Sequence, residues 1–107
     1  MNTDIHQFKA EFFKALAHPL RIRILEILSE GEKSVNEIQT IVNSEGSAVS
    51  QQLSVLRAKN IVVGTKQGKQ VLYSLRDPII TDLLAVARAI FNNQLGYTIS
   101  MLEDLEE

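Results

Sequence analysis

The sequence predicts a mainly α domain that also carries a β-hairpin, an α+β protein with elements in the order α-α-α-α-β-β-α. Three observations lead there. Apolar residues recur at helical spacing in five separate stretches; two short stretches change to branched and aromatic residues around a glycine; and Pro, Gly and Ser mark the boundaries. With 107 residues, 45% hydrophobic and 22% charged, the chain is one ordinary folded domain, small enough that a partner subunit would help complete its core. No repeat, low-complexity run or linker divides residues 1–107.

The first helix spans about residues 4–16, where Ile5, Phe8, Phe12 and Leu16 form an aromatic-rich stripe. Pro19 opens the second, whose stripe is Leu20, Ile24, Ile27 and Leu28 and whose stop is Gly31. Ser34 is an N-cap with Glu37 completing a capping box, and Val35, Ile38, Ile41 and Val42 are the expected buried stripe of a short third helix. After the turn NSEG a fourth helix covers about 46–59, with Val49, Leu53 and Leu56 on its apolar side. IVVGTK and QVLYSL, joined through Gln67, Gly68 and Lys69, form the hairpin. The last helix covers about 78–95, with Ile79, Ile80, Leu83, Leu84, Ala87, Ile90, Phe91 and Leu95, and Gly96 is expected to end it. Beyond it, YTISMLEDLEE reads as a short helical extension with a solvated acidic end.

Composition excludes several functions. There is no cysteine, so disulfides, thiolate metal sites and thiol switches are absent from the chain. The amino terminus lacks the pattern of a signal peptide, and no apolar run approaches the ~18 residues of a membrane span, so a cytoplasmic protein with no membrane partner is expected. No nucleophile and base pair, no phosphate loop and no ligand cluster supports an enzyme. The net charge of -2 argues at first against nucleic acid, but the 31 residues from Gly46 to Arg76 contain no acid and five bases, Arg57, Lys59, Lys66, Lys69 and Arg76.

Two short helices joined by a tight turn and followed by a hairpin with basic residues near its tip have the layout of a winged helix-turn-helix. On the helix 46–59, Ser47, Ser50, Gln51 and Ser54 share roughly 100° of arc opposite the apolar stripe. Such a slim polar ridge suits the DNA major groove, where Gln51 can pair bidentately with adenine and the serines can meet phosphate or base edges. The plainer explanation is a solvated surface helix, but such helices usually carry Glu and Lys rather than three serines. Lys66 and Lys69 likewise either keep an exposed edge soluble or clamp phosphate, and their place inside the acid-free span favours the clamp.

ALAHPLRIRILEIL, VSQQLSVLRAKNIV and GKQVLYSL, in this order and spacing, resemble the ArsR/SmtB family of winged helix-turn-helix transcriptional repressors, over roughly residues 12–95. The resemblance implies a homodimer, paired through its first and last helices, that represses from an inverted-repeat operator of double-stranded DNA. It marks Ser47, Ala48, Ser50 and Gln51, to which the ridge adds Ser54 and Arg57, with Lys66, Gln67, Lys69 and Gln70 in a wing spanning 64–71. For dimerisation it points to Ile5, Phe8 and Phe12 in the first helix and Ile80, Leu84, Ala87 and Phe91 in the last. The alternative is a protein-interaction module that uses the same scaffold with little DNA affinity.

Many members of the family sense metals through a pattern similar to Cys-Val-Cys in the third helix, where this chain has Ser34, Val35 and Asn36. At the family's second site the matching residues are Asp77, Ile79, Ile90 and Asn93, of which only the aspartate is a ligand for a metal. His6 and His18 have no second nitrogen or sulfur donor nearby, and His18 before Pro19 suits a cap. No metal and no cofactor is therefore expected at these positions. The effector is left open between a small apolar molecule at the dimer interface, a protein, and none.

Overall fold

The computed structural model describes residues 2–106, with side chains from residue 4 onward. The chain runs α1 (Asn2–Leu16), α2 (Pro19–Leu28), β1 (Lys33–Ser34), α3 (Val35–Val42), α4 (Gly46–Ala58), β2 (Val62–Gln67), β3 (Gln70–Leu75) and α5 (Ile80–Glu106). The fold class is the one expected, with one short strand added. Lys33 and Ser34 pair with Tyr73 and Leu72, which turns the hairpin into a three-stranded antiparallel sheet of order β1-β3-β2. A two-residue strand is too short to show alternation, so it leaves no mark in the sequence.

Local chemistry sets the boundaries. The Leu20 N–H donates to His18 Nδ1 at 3.1 Å just before Pro19 begins α2, so this histidine is a helix cap. At α3 the Glu37 N–H donates to the Ser34 hydroxyl at 3.2 Å and the Ser34 N–H to the Glu37 carboxylate at 2.9 Å, which completes the capping box. The bond from the Ser34 N–H favours the charged carboxylate and holds Glu37 below its ordinary pKa. The end of α4 is a Schellman motif without glycine. The Ile61 N–H reaches the Leu56 carbonyl at 2.9 Å and the Asn60 N–H the Arg57 carbonyl at 3.0 Å, with Asn60 in the left-handed region at φ 61°. In the hairpin Gln67 pairs with Gln70, leaving a two-residue loop in which Gly68 has φ 63° and Lys69 does not enter the positive region.

The core gathers Ile24, Leu25, Ile27 and Leu28 of α2, Ile38 of α3, Val49, Leu53 and Leu56 of α4, Ile61 and Val62, with Ala15, Leu16 and Ile80 from the terminal helices. Three expectations need correction. Ile41 is 45% exposed at the edge of the α3 stripe rather than buried in it. Gly96 does not end the last helix: it keeps a right-handed backbone, and α5 continues to Glu106 because Leu95, Ile99, Met101 and Leu102 favour the helix more than one glycine opposes it. Ile80, assigned to dimerisation, is only 5% exposed and belongs to the protomer's own core.

The continuation of α5 changes the shape of the protein. Its 27 residues make a rod of about 40 Å. The principal extents are 63 × 43 × 21 Å and the radius of gyration is 17.3 Å, against about 13 Å for a compact domain of this length. Most of α1 and α5 stands off the core with apolar residues in the open.

Candidate nucleic-acid interface

Burial on one side of α4 orients the other. Val49, Leu53 and Leu56 are each fully buried, so Ser47, Ser50, Gln51, Ser54 and Arg57 are exposed, with Ala48 half-buried between them. The polar ridge expected from the sequence therefore lies on the outside of the protein. Glu45, the N-cap of α4, makes no side-chain capping bond, and its carbonyl accepts from the Ala48 and Val49 N–H groups at 3.1 and 3.2 Å, so no capping side chain competes for the Gly46 and Ser47 amides at the end of the helix where a phosphate would be drawn. Its own carboxylate lies just outside the acid-free span and opposes that attraction.

A residue that sequence reasoning missed holds α4 in place. Arg21 of α2 donates from Nε to Gln52 Oε1 at 2.8 Å and from Nη1 to the Ala15 carbonyl at 3.1 Å. One guanidinium thus ties the last turn of α1 to the middle of α4, one position from Gln51. The sequence offers no signal for this link, because a half-buried Arg on α2 has the same pattern as a solvated one.

The wing is built on a close approach. A Cβ at Gly64 would meet Val71 Cγ1 at 3.0 Å and the Tyr73 ring at 3.3 Å, so glycine there lets the two strands and the ring pack tightly. Beyond this base Lys66, Gln67, Lys69 and Gln70 are all exposed at the tip. Among the described residues, Arg57, Lys66 and Lys69 have no carboxylate within ion-pairing distance, and their charge is free for an external anion. The structure thus presents every residue of the expected DNA-facing set at the surface except Ala48, which is partly covered.

The residues assigned to dimerisation divide differently. Ile5, Phe8 and Phe91 are 51%, 62% and 62% exposed, and Ala87 is exposed as well. Phe12 and Leu84 lie partly buried against the core. Phe12 also stacks on Phe8 with ring centroids 5.9 Å apart. A groove of about 710 Å³ runs between α1, α2 and α5, lined by Phe13, Leu16, Ile22, Leu84, Ala87 and Phe91.

The residues at the metal positions have other work. Ser34 caps α3, and Asp77 Oδ1 accepts from the Ile79 N–H at 3.1 Å just before α5. Among the described residues, no group of three or more His, Asp and Glu side chains is placed to hold a metal ion, and no helix is long and apolar enough to cross a membrane.

Comparison with known proteins places this geometry. Residues 18–63, from the cap of α2 into β2, match the family described as bacterial regulatory protein, arsR family. The HTH-type transcriptional regulator Rv0081 of Mycobacterium tuberculosis is 47% identical over 102 residues, which cover 94% of this chain and 90% of that one. Its crystal structure superposes with a TM-score of 0.80 at 46% identity, over 89% of this chain and 96% of that one. The transcriptional repressor SmtB homolog of Synechocystis is 39% identical over 83 residues, 78% of this chain and 63% of the homolog. The transcriptional repressor BigR of Xylella fastidiosa has a TM-score of 0.72 at 32% identity, covering 85% of this chain and 96% of BigR.

Proposed function

The chain belongs to the ArsR family of bacterial transcriptional regulators, and from that premise we propose that it is a homodimeric repressor that reads an inverted-repeat operator through α4 and the wing. The observation that carries the reading is the outward ridge of Ser47, Ser50, Gln51 and Ser54, set beside unpaired Lys66 and Lys69 in a stretch without acids. Gln51 reads a base edge, the serines and the first amides of α4 meet backbone or base, and Arg57, Lys66 and Lys69 neutralise phosphates.

Dimerisation follows from the same accounting. Ile5, Phe8, Val86, Ile90, Phe91 and Leu95 are each about half or more exposed, an apolar surface too large for a soluble monomer to leave bare. A two-fold pairing of α1 and α5 covers it and places two α4 helices about one DNA turn apart, roughly 10–10.5 base pairs or a multiple. Metal does not control the protein at the positions used by metal-sensing members, since a Ser hydroxyl and an Asn amide do not replace thiolates. A regulator acting on the chromosome works in the cytoplasm.

Selection of bound duplexes from a random pool, followed by affinity measurements over a range of salt, tests the reading. An inverted repeat and an affinity that falls steeply with salt are expected. Weak binding at every salt concentration would favour an interaction module on the same scaffold.

A further inference from the structure

A second site lies away from the ridge, and its proposed role rests on the reading of the chain as an operator-binding regulator. Between α1 and the body of the domain is a cavity of about 590 Å³, within the ~300–1,000 Å³ range of small-molecule sites. Phe8, Phe12 and Ala15 line it from α1, and Ile61, Ile79 and Ile80 from the body. Its polar groups are unequal in availability. Lys59 and Arg76 are exposed on the body side and, among the described residues, neither is paired with a carboxylate. Asp77 already accepts from the Ile79 N–H, and Glu11 stands on α1. The lining thus holds two cations that make no ion pair beside two carboxylates, of which Asp77 is engaged by a backbone N–H. An organic anion fits such an apolar chamber, because its body replaces water against the rings while its head group receives charge-assisted hydrogen bonds from Lys59 and Arg76.

We propose that this cavity binds a small organic acid, an aliphatic or aromatic body ending in one carboxylate, and that its occupation weakens operator binding. The coupling lies in the origin of the walls. Lys59 and Asn60 terminate α4, Arg76 follows the last strand of the wing, Ile79 and Ile80 begin α5, and Phe8 and Phe12 belong to α1. A molecule held by Lys59 and Arg76 therefore sets the distance of α1 from the end of the reading helix. Its effect on the operator equals the difference between its affinities for the DNA-free and the DNA-bound protein.

The test uses the full-length protein without DNA and follows the fluorescence of anilinonaphthalenesulfonate, an aromatic monoanion, in competition with decanoate or decanol. These two competitors share a chain and differ in charge. Decanoate is expected to compete roughly tenfold better than decanol. Lys59→Ala and Arg76→Ala should each weaken decanoate by roughly three- to tenfold and leave decanol unchanged. Glu11→Gln should tighten decanoate, since it removes the one carboxylate of the lining not already engaged. All three side chains are exposed, so the variants should fold. In a separate arm, operator affinity is measured first without ligand and then at saturating decanoate, where it should fall at least about tenfold, a typical coupling. Equal competition by the two compounds, no competition, indifference to the two cation deletions, or unchanged operator affinity at saturation would each overturn the proposal. Absence of operator binding in the ligand-free control would instead reject the regulator reading, while the competition arm still decides whether the acid binds.

Discussion

Replacing Arg21 by Ala tests how α4 is held. The guanidinium makes two charge-assisted hydrogen bonds, to Gln52 Oε1 at 2.8 Å and to the Ala15 carbonyl at 3.1 Å. Bonds to charged groups contribute about 1.5–3 kcal/mol each. Arg21 and Gln52 are both half-buried, so water recovers part of the loss and the low end applies. The variant should therefore lose about 2–4 kcal/mol from a total stability of about 5–15 kcal/mol. For a chain of this length that lowers Tm by roughly 10–20 °C. Thermal unfolding followed by circular dichroism measures it, at one fixed protein concentration because the proposed pairing of α1 and α5 would contribute to stability. Gln52→Ala removes one of the two bonds, and the double variant should cost about 1–2 kcal/mol less than the sum of the singles. A loss for Arg21→Ala below about 0.5 kcal/mol, within the range of an ordinary surface substitution, or strict additivity with Gln52→Ala, would refute the clamp.

Asn60 occupies the left-handed position of the cap on α4, so Asn60→Gly should be neutral or slightly stabilising while Asn60→Val costs about 1–2 kcal/mol, read by denaturant unfolding. Glu37 contributes to stability while its carboxylate accepts the Ser34 N–H. Because its folded pKa is depressed, that contribution is complete above the ordinary carboxylate pKa and is lost as pH falls through the lowered value. Glu37→Gln should flatten this part of the acid-side stability curve, and an unchanged curve would remove Glu37 from the account. In the proposed dimer Arg57, Lys66 and Lys69 would offer six phosphate contacts, so log affinity against log salt should slope near about −5. A slope near zero would mean these cations do not touch DNA.

How much of this was legible in the sequence depended on whether the cause was local. His18, Ser34 and Glu37 announced helix starts because capping needs only the residue type and a spacing of two or three positions. Val49, Leu53 and Leu56 fixed the inward side of α4, and with it the outward side that bears Gln51. Gly96 misled, because a lone glycine signals a helix end only when the residues beyond it do not favour the helix. Ile80 misled for a different reason: periodicity shows that a face is apolar but not which neighbour covers it. Pairings between distant residues left no signal at all, as with β1 against β3, Arg21 against Gln52, and the cavity under α1.

The central claim is that the ridge of α4 reads bases while the wing holds phosphate. It is tested most directly by measuring the affinity of the wild type, Gln51→Ala and Lys69→Ala for the selected operator and for a scrambled duplex at one salt concentration. Gln51→Ala should cost about 1–3 kcal/mol on the operator and almost nothing on the scrambled duplex, while Lys69→Ala weakens both about equally. If Gln51→Ala left the preference for the operator intact, or if the two variants lost discrimination to the same extent, base reading by this helix would be contradicted.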